Sequence, residues 1–254
     1  MLPEERKQEI VGYVERQEGA SVAELAETLG VSESTIRRDL TDLTQDGLLR
    51  RSHGGALPAA NVASEPSFAQ RSVQNLDAKR LIAQRAVQEI TDGDVVFFDS
   101  GTTVLEVAKE APKDGSFTAV TNSIELGFEL GTEDGRLQVT GGKQRNKSRS
   151  LVGPVGERFL QSHHFDLLFL GTNSIDLEVG LSTPNEPEGR MKQLMVAQSE
   201  RVVLLADGSK FGRRSYVQFA PLAEIDTIVT ETRLTDEQRR ALEDRSVEVV
   251  DALR

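Results

Sequence analysis

Four polar stretches, each following an apolar run, carry residue types able to hold a phosphate and a few hydroxyls. In "FFDSGTTVLEVA" the apolar run ends at Asp99 and Ser100, Gly101 permits a tight turn, and Thr102 and Thr103 open a helical pattern. The free N–H groups and positive end of a helix favour an anion at such a place, and the hydroxyls add donors. "VTNSIEL" repeats the arrangement with Thr121, Asn122 and Ser123, and "VTGGK" supplies Gly141 and Gly142, where backbone can approach a ligand closely. "LLADGSKFG" adds Asp207 and Lys210, the lysine a mobile point charge suited to a phosphate or hydroxyl. Glu186 and Lys192 in "NEPEGRMK" are weaker candidates for the same pocket. Each stretch alone reads as capping or a surface turn, but their succession fits the rule that open parallel sheets bind ligands at the carboxyl ends of their strands.

A second set is cationic. "VSESTIRRDLTDLTQDGLLRRSHGGA" holds the adjacent pairs Arg37-Arg38 and Arg50-Arg51 in a chain whose formal net charge is -11. On a helical wheel of ~100° per residue Ile36, Leu40 and Leu43 form one apolar stripe, and Ser34, Arg37, Arg38 and Thr41 fall on the opposite, outward face. Guanidinium forks match guanine O6 and N7, and short hydroxyls bond to bases or phosphates. Ser32, Ser34, Thr35, Arg37, Arg38 and Thr41 are therefore the candidate reading face, with Arg50, Arg51 and His53 placed to hold neighbouring phosphates of double-stranded DNA.

Other chemistries find no residues to carry them. The chain has no cysteine, which removes disulfides, thiolate metal sites and a cysteine nucleophile together. His163 and His164 cannot share a helical face and His53 lies elsewhere, so no metal site is expected. No Walker A motif or strand-linked GxGxxG is present, and no cofactor is expected. No apolar run approaches the roughly 18 residues of a membrane helix, and the opening "MLPEERKQEI" is charged, so the expectation is a soluble cytoplasmic protein without a membrane partner. The acid excess, 41 Asp plus Glu against 22 Arg and 8 Lys, fits either a cytoplasm of high salt or an acidic, Arg-rich proteome of moderate salt.

The elements that must position these residues follow from periodicity. Residues 1–57 read as three helices and a hairpin. The first runs from Pro3 to about Glu18, the second carries a Ser21–Glu24 capping box and stops at Gly30, the third is capped by Ser32, and "LLRRSHGGAL" turns at Gly-Gly. That is a winged helix-turn-helix. The Pro, Ala and Ser-rich stretch beginning at 57 marks a linker over 58–76. Within 77–254 a helix over about Asp77–Ile90 leads into the apolar runs "DVVFFDS", "FTAVTNS", "RLQVTGG", "FDLLFLGTN", "VVLLADGSK", "IDTIVTE" and "VEVV", separated by helical patterns. The fold class is α/β, with a doubly wound, mostly parallel sheet in the second domain.

Taken together, Arg6, Ile10 and Val14 at four-residue spacing, then "STIRRDL" and "RSHGGA", resemble the signature of the DeoR family of bacterial and archaeal transcriptional regulators. "DSGTT", "TNS", "GG", "FDLLFLG" and "DGSKFG" follow in the family's order, so the resemblance covers essentially 1–254. It implies a winged helix-turn-helix joined to a sensor domain similar to ribose-5-phosphate isomerase. It further implies a repressor of sugar or polyol catabolic genes that leaves operator DNA when a small phosphorylated sugar or polyol binds. The rival reading is catalysis. An aldose-ketose isomerase needs a carboxylate base at the substrate carbons; here Asn173 stands where the family usually has an acid, the isomerases' glycine run is absent, and Asp176 and Glu178 are not placed at a substrate by anything in the sequence. No catalytic residue is assigned. A homo-oligomer, dimer or tetramer, is expected because one small winged module buries only about 600–1,000 Å² on DNA.

Overall fold

A computed structural model describes residues 3–17, 19–45, 49–52, 54–58, 65–131 and 136–253. The chain divides into two compact units, Met1–Glu65 and Pro66–Arg254.

The first unit contains α1 (Pro3–Arg16), β1 (Ala20–Ser21), α2 (Val22–Leu29), α3 (Glu33–Gln45) and the hairpin strands β2 (Leu49–Ser52) and β3 (Gly55–Pro58). The Ser21–Glu24 capping box starts α2, and Gly30 ends it in the left-handed region at φ 64°, which costs glycine nothing. At the start of α3 the Ser32 hydroxyl accepts the Thr35 N–H at 3.3 Å. Ile36, Leu40 and Leu43 turn inward and meet Ile10, Val14, Leu25 and Leu49 in one core. Arg6 Nε donates to Asp39 Oδ2 at 2.6 Å, tying α1 to α3 through a carboxylate only 4% exposed.

Strand β1 is too short to read from sequence, yet it completes a three-stranded sheet in the order β1-β3-β2. The second glycine of "HGGA" is explained here. A Cβ on Gly55 would lie 2.1 Å from the Ala20 carbonyl oxygen, so the β1–β3 contact requires a residue without a side chain. Gly55→Ala should force these backbones apart and lower unfolding free energy by about 1–3 kcal/mol. Denaturant unfolding followed by circular dichroism measures it, and an unchanged midpoint would contradict the close approach.

The second unit opens with α4 (Phe68–Val73), α5 (Leu76–Ala86), β4 (Val95–Phe98), α6 (Thr102–Glu110), β5 (Thr118–Thr121), α7 (Ile124–Leu130) and β6 (Arg136–Val139). There follow β7 (Lys143–Arg145), β8 (Ser150–Val152), α8 (Pro154–Gln161), β9 (Phe165–Gly171), β10 (Ser174–Asp176), β11 (Gly180–Thr183) and α9 (Glu186–Ala197). The chain finishes with β12 (Ser199–Leu205), β13 (Val217–Ala220), β14 (Thr227–Thr230), α10 (Asp236–Glu243) and β15 (Glu248–Asp251).

The seven apolar runs singled out in the sequence form one sheet, β15-β14-β12-β9-β4-β5-β6, in which every neighbouring pair is parallel. Continuous apolar runs suit such strands because both faces are covered. Val96, Phe98, Leu167 and Phe169 pack with α5, α6 and α7, and Phe97, Leu168, Leu170 and Leu204 pack with α8, α9 and α10 on the other side. In the second unit the antiparallel strand pairs among the described residues are those of the small sheet β10-β11-β13 and the β7-β8 ribbon. These strands are three or four residues long and carry no periodic signal.

One boundary differs from the sequence reading. Residues 59–64 lie outside the described residues, but 66–76, taken as linker, belong to the second unit. Ser67 caps α4 through a reciprocal bond with Gln70. Phe68 anchors that helix at 5% exposure, with the Arg149 guanidinium 5.3 Å from its ring centroid. A six-residue helix with one apolar anchor looks like a linker by composition alone.

Candidate anion cavity and nucleic-acid interface

The order of the large sheet reverses at β4, whose neighbours are β9 and β5. Beyond the carboxyl ends of β4, β9 and β12 lies a cavity lined by Ser100, Gly101, Thr102, Thr103, Gly171, Thr172, Asn173, Asp207, Ser209 and Lys210. That is where doubly wound sheets bind ligands. Helix α6 begins there with no side-chain cap, so its first N–H groups and its positive end are free to meet an anion.

Asp99 lies just beneath, fully buried. Its Oδ2 accepts from the Lys192 ammonium and from the Gly171 N–H at 3.0 Å. Lys192 also donates to the Gly171 carbonyl at 2.7 Å and lies 5.5 Å from the Phe219 ring centroid. Burial pushes the Asp99 carboxyl above its ordinary value, against the opposing pull of Lys192. Asp207 is also buried, which by itself raises its pKa. The Ser209 hydroxyl, the Lys210 charge, the Ser209 N–H and the Asn75 amide outweigh that and leave it below the usual carboxylate value. Burial lowers Lys210.

The other wall comes from α4 and α5, which the sequence did not assign to the site: Arg71, Gln74, Asn75 and Lys79. Lys79 is 3% exposed; its Nζ donates to the carbonyls of Arg71 and of Gln74, the latter at 2.6 Å, and burial lowers its pKa to about 8. A signal was present, since Lys79 shares the buried stripe of α5 with Ile82, Ala83 and Ala86. A lysine on an apolar stripe needs a partner. Asn75 Nδ2 joins the walls by donating to Asp207 Oδ1 at 3.1 Å.

Several expected residues sit elsewhere. Asn122 acts one layer back, its Oδ1 accepting the Ser100 N–H at 2.8 Å. Thr121 donates its hydroxyl to the Phe98 carbonyl, and Ser123 caps α7. Gly141 and Gly142 do not line the cavity: both have positive φ, and a Cβ on Gly142 would lie 2.7 Å from the Val152 carbonyl oxygen. They serve the turn into β7. In "NEPEGRMK" the cavity residues are Glu188 and Lys192, whereas Glu186 is exposed. Glu188 accepts the Ser150 hydroxyl at 2.9 Å and the Arg145 guanidinium at 3.4 Å. Asn173 lines the cavity and accepts the Thr183 hydroxyl at 3.0 Å. Asp176 and Glu178 pair instead with Arg214, whose hydrogen bond is the main reason the Asp176 pKa falls to about 2.

In the first unit Ser34, Arg37, Arg38 and Thr41 are exposed on α3. Ser32 Oγ lies 2.9 Å from the hydroxyls of both Ser34 and Thr35. Arg51 Nη2 donates to the Arg37 carbonyl at 2.9 Å and to Thr41 Oγ1 at 3.0 Å, so it braces the wing against α3. Arg50 pairs with Leu57 in the hairpin, its side chain outside the described residues, as is the whole of His53.

Two family models match this chain: a DeoR-like helix-turn-helix domain over residues 6–61 and a DeoR C-terminal sensor domain over 74–232. The chain belongs to the DeoR family. A relative in this DeoR family, the HTH-type transcriptional regulator GlpR of Haloferax volcanii, is 53% identical over 100% of this chain and 99% of its own length. The putative aga operon transcriptional repressor of Escherichia coli O157:H7 is 37% identical over 97% of this chain and 93% of its own. The L-fucose operon activator of Haemophilus influenzae is 34% identical over 96% and 98%. Ribose 5-phosphate isomerase A from Neisseria gonorrhoeae superposes with a TM-score of 0.39 over 54% of this chain and 53% of its own, at 18% identity. As a DeoR protein the chain is a DNA-binding transcriptional regulator with a sensor domain, not an enzyme.

The buried pair offers a direct check. Lys192→Ala strands the Asp99 charge and should destabilise the chain by about 3–5 kcal/mol, while Lys192→Met combined with Asp99→Leu should recover most of that loss. If the separate costs of Lys192→Met and Asp99→Leu in urea unfolding add up to that of the double variant, the two side chains do not depend on each other.

Proposed function

We propose that this regulator represses genes of sugar or polyol catabolism and releases its operator when a small phosphorylated sugar or polyol fills the cavity. The carrying observation is the cavity's composition: the uncapped start of α6 with Thr102 and Thr103, and four cations (Arg71, Lys79, Lys192, Lys210) against the carboxylates of Glu188 and Asp207. A phosphate at the α6 N-terminus would be met by backbone N–H groups, threonine hydroxyls and Lys79. Asp99 Oδ1, buried and without a hydrogen-bond partner among the described residues, is an acceptor for a ligand hydroxyl, and Asn173 is another.

The same wall offers a route to the DNA-binding unit. The α4–α5 segment follows the unit boundary by a few residues, and Lys79 holds the carbonyl end of α4. An anion that draws Lys79 toward itself weakens that hold. For a tenfold release of DNA the ligand's affinities for the free and operator-bound forms must differ by about 1.4 kcal/mol. The named activator among the relatives fits the same device with the opposite preference. In the first unit Arg37 and Arg38 would contact bases or adjacent phosphates from the major groove, and a homo-oligomer would pair two such modules; light scattering of the free chain tests this and would expose a monomer.

Operator binding measured across a panel of sugar and polyol phosphates should identify one that weakens it at least about tenfold. Thr102→Ala should abolish that response while operator affinity without ligand is kept, and Lys79→Met, which removes the hold on the carbonyl end of α4 outright, should weaken operator binding even without ligand. If no phosphate changes DNA affinity or thermal stability, the sensor reading fails.

The affinity for the phosphate should also depend on pH in a set direction. Below about 8 Lys79 is already an ammonium in the empty cavity, and above it the group is neutral. A bound anion keeps the proton on, so binding takes up a proton above pH 8 and weakens as pH rises, by at most about tenfold per pH unit from this group. Lys210, lowered by burial as well, adds in the same sense. Calorimetric titration at pH values on either side of about 8, where Lys79 loses its proton, measures it; affinity rising with pH would contradict the assignment.

A further inference from the structure

We propose that Glu33, which lies outside the cationic set, determines the sequence specificity of α3 by orienting Arg37. The inference rests on the reading that α3 enters the major groove. Glu33 opens α3, and its Oε2 accepts Arg37 Nη2 at 2.7 Å one turn further on. The backbone of Arg37 is held too, because its carbonyl accepts both Thr41 Oγ1 at 2.7 Å and Arg51 Nη2 at 2.9 Å. Arg51 closes the triangle with its 3.0 Å bond to Thr41 Oγ1. The wing is thus fastened to α3 at the residue whose side chain Glu33 aims. Arg38, its neighbour, is exposed and has no side-chain partner among the described residues.

Two arginines adjacent in sequence are therefore presented differently. Arg37 is pre-oriented and has lost rotamer freedom before it meets DNA; Arg38 is free to follow a phosphate. Glu33 takes one N–H of the Arg37 fork and leaves the others for the O6 and N7 acceptors of guanine.

As a contribution to stability an exposed pair at i, i+4 is worth little. On a DNA-facing helix the carboxylate has two larger effects. It repels phosphates of every sequence alike, which weakens non-specific binding. It also narrows the directions in which Arg37 can donate, so a base that lacks the guanine acceptors leaves the fork poorly matched. Specificity is a difference of affinities, and a repulsive group that only the correct partner compensates increases it.

The test begins with an operator selected from a random-sequence DNA pool by the full parent chain. Parent, Glu33→Gln and Arg38→Ala are then measured on that operator, on its single-base-pair variants and on random DNA at several salt concentrations. Glu33→Gln should bind random DNA about threefold more tightly. Its ratio of operator to random affinity should fall about tenfold, with the loss concentrated at one guanine. Arg38→Ala should weaken all sequences together and flatten the salt slope. Glutamine keeps the length of the side chain, and an unchanged thermal midpoint confirms that folding is not involved. The proposal is overturned if Glu33→Gln moves operator and random binding by the same factor or moves neither. A parent that selects no sequence from the pool overturns the DNA reading itself, and this inference with it.

Discussion

Asp99 stands at the carboxyl end of the strand around which the sheet order reverses, and it is wholly buried. A carboxylate there is tolerable only when a cation and hydrogen-bond donors meet it, because desolvation otherwise costs more than the fold's small margin of stability. That requirement engages three elements. The N–H of Gly171 at the end of β9 and the ammonium of Lys192 on α9 converge on one carboxylate oxygen, and Lys192 is itself held by the Gly171 carbonyl. The spacing between β4, β9 and α9 is thereby set from below, and the start of α6 opens above a floor with little freedom to move.

Charge around that floor is unevenly satisfied. Asp99 has Lys192, Glu188 has Arg145 and Ser150, and Asp207 has Ser209, Asn75 and Lys210 at 3.9 Å. Lys79 differs: its hydrogen bonds go only to carbonyls. Burial lowers its pKa, the Lys210 and Arg71 charges add to that, and Asp207 and Glu106 oppose it, so this ammonium is less well matched than one held directly by a carboxylate. The first unit applies the same physics to a structural end. There Asp39, almost fully buried, is met by Arg6 across two helices.

The two units also differ in how they use arginine. Between the wing and α3 the Arg51 guanidinium braces the backbone of Arg37, whose own guanidinium donates to Glu33, so that the fork has a fixed direction. In the cavity the cations are mostly lysines, point charges that can shift with a ligand. The first arrangement favours discrimination, and the second favours response.

Much was legible in the sequence because it is local or periodic. The α3 stripe of Ile36, Leu40 and Leu43, the Ser21–Glu24 capping box and the seven apolar runs follow from repeat lengths that a single segment displays by itself. The "DSGTT" and "DGSK" strand ends were legible for the same reason, since a polar turn after an apolar strand marks where the sheet ends. Which strand ends share a cavity is a different kind of fact. Thr121, Ser123, Gly141 and Gly142 have the right chemistry, yet pairing of β5 and β6 toward one edge places them in caps and turns, while β4, β9 and β12 converge. Arg71 and Lys79 join the cavity only because α4 and the start of α5 lie against it, a placement tied down by the bond from Asn75 to Asp207, 132 positions further along the chain. Sequence by itself determined the elements, the exposed cationic face of α3 and the existence of an anion-suited strand end, because each depends on neighbours along the chain. Only tertiary structure decided the composition of the cavity, because burial and long-range pairing select which of many suitable side chains meet in space.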